Sequence, residues 1–206
     1  MRGTLHQIAF FVSVPAGIAL IVLANTGKAR FAAVVFATGL AGVFGASAAY
    51  HRVAWSVPAR KRMKRLDHSM IFVLIAGTYT PLCLLALSGA WSVVMLATVW
   101  AGAITGIVMK QFNVDGLRRV SGFLYITLGW ISIVTLPQLF HTMSVAAFTL
   151  VVVGGLLYTV GAIVFAVKRP DPNPAVFGYH EIFHVLVIAA ATAHFAAIAI
   201  YALPSG

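Results

Sequence analysis

Residues 179–203 read YHEIFHVLVIAAATAHFAAIAIYAL, a run in which Glu181 is the sole acidic residue and no lysine or arginine occurs. At about 1.5 Å of rise per residue, a helix of this length crosses the roughly 30 Å hydrocarbon core of a bilayer. It has no broad polar face to offer water. Six further stretches have the same character or come close to it: Ile8 to Ala24, Phe31 to Tyr50, Leu66 to Leu87, Trp91 to Met109, Val120 to Leu136 and Met143 to Val167. Of the 206 residues, 61% are apolar and 9% charged, and the mean hydropathy is +0.99. That balance excludes a water-soluble domain of this size. The sequence predicts an all-α integral membrane protein, a seven-transmembrane-helix bundle forming a single domain over residues 1–206 with short connections.

Seven crossings divide the loops into two sets, and the 14 basic residues are distributed unequally between them. Arg2, Arg52, Arg60, Lys61, Arg62, Lys64, Arg65, Lys110, Arg118, Arg119, Lys168 and Arg169 fall on one side, and only Lys28 and Arg30 on the other. Positive charge is retained in the cytoplasm, so the expected orientation has the N-terminus cytoplasmic and the C-terminus outside, as in a multi-pass protein of the cell membrane. The formal net charge of +10 therefore reads as a topology signal, with anionic lipid as a natural contact, and not as a nucleic-acid surface. Cys83 is the single cysteine, which excludes an intrachain disulfide and a cysteine-based zinc site. Pro15 and Pro81 predict kinks, and Gly102, Gly106, Gly154, Gly155 and Gly161 suit close helix contacts. No internal repeat is present, so a doubled transporter architecture has no support.

With this topology, polar residues distant in sequence fall at one membrane level. His51 closes the second span, Asp67 opens the third, and His180 and His184 open the seventh. Histidines four apart on a helix are offset by about 40° and about 6 Å, close enough to grip one metal ion. A set of His51, His180 and His184 would leave an open fourth position, the arrangement zinc uses to activate water at a pKa of about 7. Asp67 would be the base for that water, its orienting partner, or a direct ligand. Ser47, one turn before His51 on the same face, could hydrogen-bond a ligand, a water or a substrate carbonyl.

Four blocks carry a resemblance: Ser47-Ala48-Ala49-Tyr50-His51, Leu66-Asp67-His68-Ser69, Ala76-Gly77-Thr78-Tyr79-Thr80-Pro81, and Gly178-Tyr179-His180-Glu181-Ile182-Phe183-His184. In this order and spacing they closely resemble the hemolysin III family. That family is related to the progestin and adipoQ receptors and, more distantly, to alkaline ceramidases, a superfamily associated with metal-dependent hydrolysis. The resemblance implies zinc held by His51, His180 and His184, with Asp67 holding the activated water and Ser47 nearby. It also implies the orientation derived from charge. The long soluble N-terminal region of the eukaryotic receptors has no counterpart, so a hormone-receptor role does not carry over.

The leading expectation is hydrolysis of a lipid amide or ester at the cytoplasmic side, with membrane lipid as substrate or ligand and no protein partner inferred. The alternative is a non-enzymatic regulator or sensor of membrane lipid state with a structural zinc site. A secreted cytolysin is disfavoured because seven apolar spans cannot readily pass through water, and a transporter because the polar residues cluster at one face. The run His180 to His184 also fits the H-E-x-x-H pattern of metalloproteases, with Glu181 as base. Beyond His184 there is no Asp, Glu or Cys, and His194 lies about 15 Å deeper, so the third ligand must come from an earlier helix. Glu181 is then expected to face the headgroups or pair with an arginine, His194 to be a core histidine, His68 to be interfacial, and His6 and His141 to be solvated. The Thr78–Thr80 hydroxyls are expected to bond backbone at a packed kink, and Trp55, Trp91, Trp100 and Trp130 to serve interfaces or packing.

Overall fold

The computed structural model describes residues 3–112, 116 and 118–203; Arg2 lies outside them, as do the side chains of Arg118 and Arg119. The order is α1 (Thr4–Leu23), α2 (Gly27–Arg52), α3 (Val57–Pro81) continued by a π-helical turn (Leu82–Ala86), and α4 (Gly89–Phe112). A composite fifth span follows, made of α5 (Arg118–Trp130), a 3-10 turn (Ile131–Thr135) and α6 (Leu136–Thr142), and then α7 (Val145–Val167) and α8 (Tyr179–Ala202). Seven of these segments are long and apolar enough to cross a membrane. Among the described residues the only β pairing is a bridge between Asn173 and Phe177.

Helix ends follow the local chemistry. Thr26 and Ser144 cap α2 and α7 by accepting the N–H of Ala29 at 3.0 Å and of Ala147 at 3.3 Å. Pro81 has no N–H to give, and the α-helix passes into the π-turn directly after it. Thr78 and Thr80 bond back to the carbonyls of Leu74 and Ala76, each at 2.8 Å, so this block is structural, as its composition predicts. Trp100 donates to the Thr80 hydroxyl at 3.1 Å. Cys83 is fully buried in the core beside them. Helix α1 stays helical through Pro15.

Lipid tails are as apolar as leucine, so helix association depends on backbone approach and polar contacts. The α2–α3 crossing shows this. A Cβ on Gly39 would sit 3.2 Å from the Val73 carbonyl, and one on Gly77 would sit 3.3 Å from that of Val35. Helices α2 and α3 are accordingly the most enclosed spans, 61% and 67% buried over their apolar windows, with α8 next at 39% and the rest at 17–22%. The three helices that carry the candidate site residues are therefore the three most interior ones.

Several boundaries differ from the sequence reading. The third span begins at Val57, not Leu66, so the basic run Arg60 to Arg65 is helical and Asp67 lies ten residues inside α3. A proline and a serine start this helix, and charged residues extend it into the interface. The fifth span runs on to Thr142 and is broken. Pro137 opens α6, and the Tyr79 hydroxyl serves the freed backbone by donating to the Gly129 carbonyl at 2.9 Å and accepting the Ser132 N–H at 3.1 Å. Gly155 faces open space, whereas Gly102, Gly106, Gly154 and Gly161 each meet a neighbouring side chain.

Candidate metal centre

The site is built where α1 and α8 begin and α2 ends. Gly3, in the left-handed region at φ 82°, lets α1 start against α2: a Cβ there would lie 2.7 Å from the His51 Cβ. Arg52 then donates to the Thr4 hydroxyl at 3.1 Å, fixing the end of α2 on which His51 stands. Two carboxylates hold the start of α8. Asp171 accepts the Tyr179 N–H at 3.0 Å, and Glu181 accepts the Gly178 N–H at 2.9 Å. Both satisfy N–H groups that a helix start leaves without intrahelical partners, and both place negative charge at the favourable end of the dipole. His180 and His184 therefore project from a pinned first turn.

Their imidazoles meet that of His51. One ligand nitrogen from each of His51, His180 and His184 lies within 4.8 Å of the others. The Nε2 atoms of His51 and His180 are 3.3 Å apart, across 129 residues of chain. With metal–nitrogen distances of about 2.0–2.1 Å and tetrahedral angles, two ligands stand about 3.3–3.4 Å apart. The observed edge fits. The rings of His51 and His180 are inclined at 79° and those of His180 and His184 at 68°, so neither pair is stacked face to face. His184 is 3% exposed, while His51 and His180 are half-buried. Phe165 and Phe183 pack against His180, giving the site an apolar wall.

Asp67 is half-buried on α3, and the hydroxyl of Ser47, buried one turn before His51 on α2, stands beside its carboxylate. The carboxylate of the third span thus lies next to the helix of the second that carries His51. Tyr125 of α5 stands near Asp67 and donates to the His68 carbonyl at 2.8 Å.

Two expectations are corrected here. His6 is not solvated: it is 3% exposed, and its ring stacks on His184 with centroids 3.8 Å apart and planes 17° apart. Neither His6 ring nitrogen is in hydrogen-bond geometry with a protein atom, although the His184 backbone is close. Its depth follows from α1 starting at Thr4, so that position 6 falls inside the bundle against Phe44. Glu181 does not face the headgroups: it is 3% exposed and caps its own helix. His194 is the packed core histidine expected, its Nε2 3.1 Å from the Val151 carbonyl, and His141 is exposed. Sequence reasoning missed His6, and the only available signal was its place beside the first span at the same end as the other histidines.

The family model described as "Haemolysin-III related" matches residues 1–195. The chain belongs to this family. It is 34% identical to "Hemolysin-3" of Bacillus cereus over 97% of this chain and 90% of the relative. Identity to the "Hemolysin-3 homolog" of Bacillus subtilis is 33%, over 95% and 90%. More distantly, it is 28% identical to the "Adiponectin receptor protein" of Drosophila melanogaster over 78% of this chain and 40% of that receptor. Seven apolar helices and this membership make it a multi-pass membrane protein of the cell membrane. The blocks that carry the resemblance in the sequence include the histidines that converge in space.

Proposed function

We propose that this chain is a metal-dependent hydrolase of a lipid amide or ester, working at the cytoplasmic side of the membrane. The observation that carries the reading is the convergence of His51, His180 and His184 at the bundle end that also holds the Asp67–Ser47 pair. The three histidines would hold the ion, and a three-imidazole donor set suits zinc. When bound, such an ion supplies Lewis-acid activation of water and of a carbonyl at neutral pH. Asp67 takes the proton of the attacking water and returns it to the leaving amine or alcohol as the acyl bond breaks, giving a fatty acid. Ser47, whose hydroxyl stands beside the Asp67 carboxylate, orients it. Phe165 and Phe183 keep bulk water from the ligand nitrogens and match the apolar surface of a lipid chain.

The basic end of the bundle is cytoplasmic by the positive-inside rule, so substrate would enter from the inner leaflet. The test is release of fatty acid from a panel of ceramides, glycerophospholipids and monoacylglycerols by purified protein. Release lost in both His184→Ala and Asp67→Asn supports the reading, and release unchanged in His184→Ala overturns it. A second reading, a structural ion in a lipid-state sensor, is favoured by one observation: the ligands tie α2 to α8 across 129 residues of chain. In that case wild type hydrolyses nothing and His51→Ala lowers thermal stability alone.

A further inference from the structure

Val57, Arg60, Lys61 and Lys64 occupy positions i, i+3, i+4 and i+7 of α3, one face of the helix. That face closes on the turn from α2. Together with Tyr50 and Trp55 these residues line a cavity of roughly 320 Å³. Trp55 is held in place by its indole N–H, which donates to the Ala49 carbonyl at 2.9 Å. Among the described residues that line it there is no carboxylate, and three are cations. Arg62 and Arg65 are not among the lining residues, and on a helix they turn away from this face by about 90° or more.

Charges that only set topology need no shared concavity and no aromatic wall. This combination has the chemistry of a lipid phosphate site at the interface: cations for the anionic oxygens, and Tyr and Trp rings at headgroup depth. Its position adds the second observation. The ring of Tyr50, one wall of the cavity, is 4.7 Å from that of His51 between centroids. In an acyl glycerophospholipid the ester carbonyls lie only a few bonds from the phosphate. A headgroup held on one side of Tyr50 therefore brings an acyl ester toward the histidines on the other.

We infer that the cavity lined by Tyr50, Trp55, Arg60, Lys61 and Lys64 is the headgroup subsite for a phosphate-bearing lipid, and that acyl phospholipids are the substrate class of the adjoining site. The second half of this statement rests on the hydrolase reading above; the first does not.

Binding of dioctanoyl phosphatidylglycerol to the purified full-length protein in detergent tests it, with dioctanoylglycerol as the phosphate-free lipid and inorganic phosphate as competitor. The double variant Arg60→Gln/Lys61→Gln is compared with Arg62→Gln/Arg65→Gln, which removes the same charge outside the cavity. The first should weaken phosphatidylglycerol binding about 10- to 30-fold, the loss expected of two cations at a membrane surface, and the second less than about threefold. Equal losses in the two doubles would reduce the effect to general charge attraction and overturn the inference. So would equal binding of dioctanoylglycerol, or displacement by inorganic phosphate at the concentration of the lipid itself. If the cavity double does not fold, exposed Lys61→Gln alone carries the test at about fivefold. His51→Ala should keep wild-type headgroup binding while losing fatty-acid release; a wild-type protein that binds phosphatidylglycerol but releases fatty acid from no lipid of the panel refutes the hydrolase reading and leaves the subsite standing.

Discussion

His51→Ala separates a shared ion site from a chance meeting of three histidines, because His51 stands on α2 and its neighbours on α8. An ion that binds only the native chain at 100 times its Kd adds about 2.7 kcal/mol of stability. Deleting one of three imidazoles should weaken binding by at least the 10- to 100-fold seen when a partner outside the ligand shell is lost. With Kd raised 100-fold at the same zinc concentration, the ratio of ion to Kd is about 1 and the stabilisation falls to about 0.4 kcal/mol. The difference, about 2.3 kcal/mol, corresponds to roughly 5–9 °C in Tm for a chain of about 200 residues. The assay is thermal unfolding in detergent with and without zinc, beside metal stoichiometry by mass spectrometry. His194→Ala is the control, since that ring is bonded to Val151 and lies away from the triad. Wild-type stoichiometry together with an undiminished zinc-dependent shift in His51→Ala would refute the site.

Glu181→Ala should lose about 0.5–2 kcal/mol of stability through its cap on Gly178. Zinc stoichiometry should stay at the wild-type value, and a loss of metal with no loss of stability would contradict the capping role. Gly154→Ala places a Cβ against the His194 ring and should cost about 1–3 kcal/mol, read as a lower Tm, whereas Gly155→Ala, facing open space, should stay within about 0.5 kcal/mol of wild type. His6→Ala removes a stacked ring from His184 and should weaken zinc binding about 2- to 12-fold, the equivalent of about 0.5–1.5 kcal/mol, with His6→Phe recovering most of it. Chelator competition measures both, and equal zinc affinity in His6→Ala and wild type would show that the stack does not hold His184.

The span count was legible because hydrocarbon imposes a length and a composition on each crossing, and residues such as Ile8 to Ala24 cannot meet them by accident. The histidine set was legible because alternating crossings bring chain-distant span ends to one level, which His51 and His180 share. What escaped was decided by partners that have no signature along the chain. The break in the fifth span is accommodated by Tyr79, fifty residues earlier, whose hydroxyl serves the Gly129 carbonyl and the Ser132 N–H. His6 looked like a span-end residue, and only the depth at which α1 starts turns it inward onto His184. The start of α3 was misplaced because Arg60 to Arg65 read as a linker by hydropathy, although arginine and lysine are good helix formers.

Glu181 shows how a local pattern leaves the role of a residue open. In H-E-x-x-H the histidines are fixed by helical spacing, but the role of the glutamate depends on where the helix begins. Here Gly178 precedes α8 directly, so Glu181 falls at the third helical position, where a carboxylate reaches back to the N–H of the capping residue. A carboxylate so engaged is held against its own backbone and is poorly placed to take a proton from a water among the ligands. Its burial at 3% exposure is then explained by the cap and by the helix dipole, with no catalytic duty required. On the hydrolase reading proposed above, the carboxylate left for proton transfer is Asp67, which stands on another helix beside Ser47. On that reading the run supplies two ligands and the clamp that aims them, and the base comes from α3. A site assembled from three helices requires all three to be fixed against one another, and α2, α3 and α8 are the three most enclosed spans.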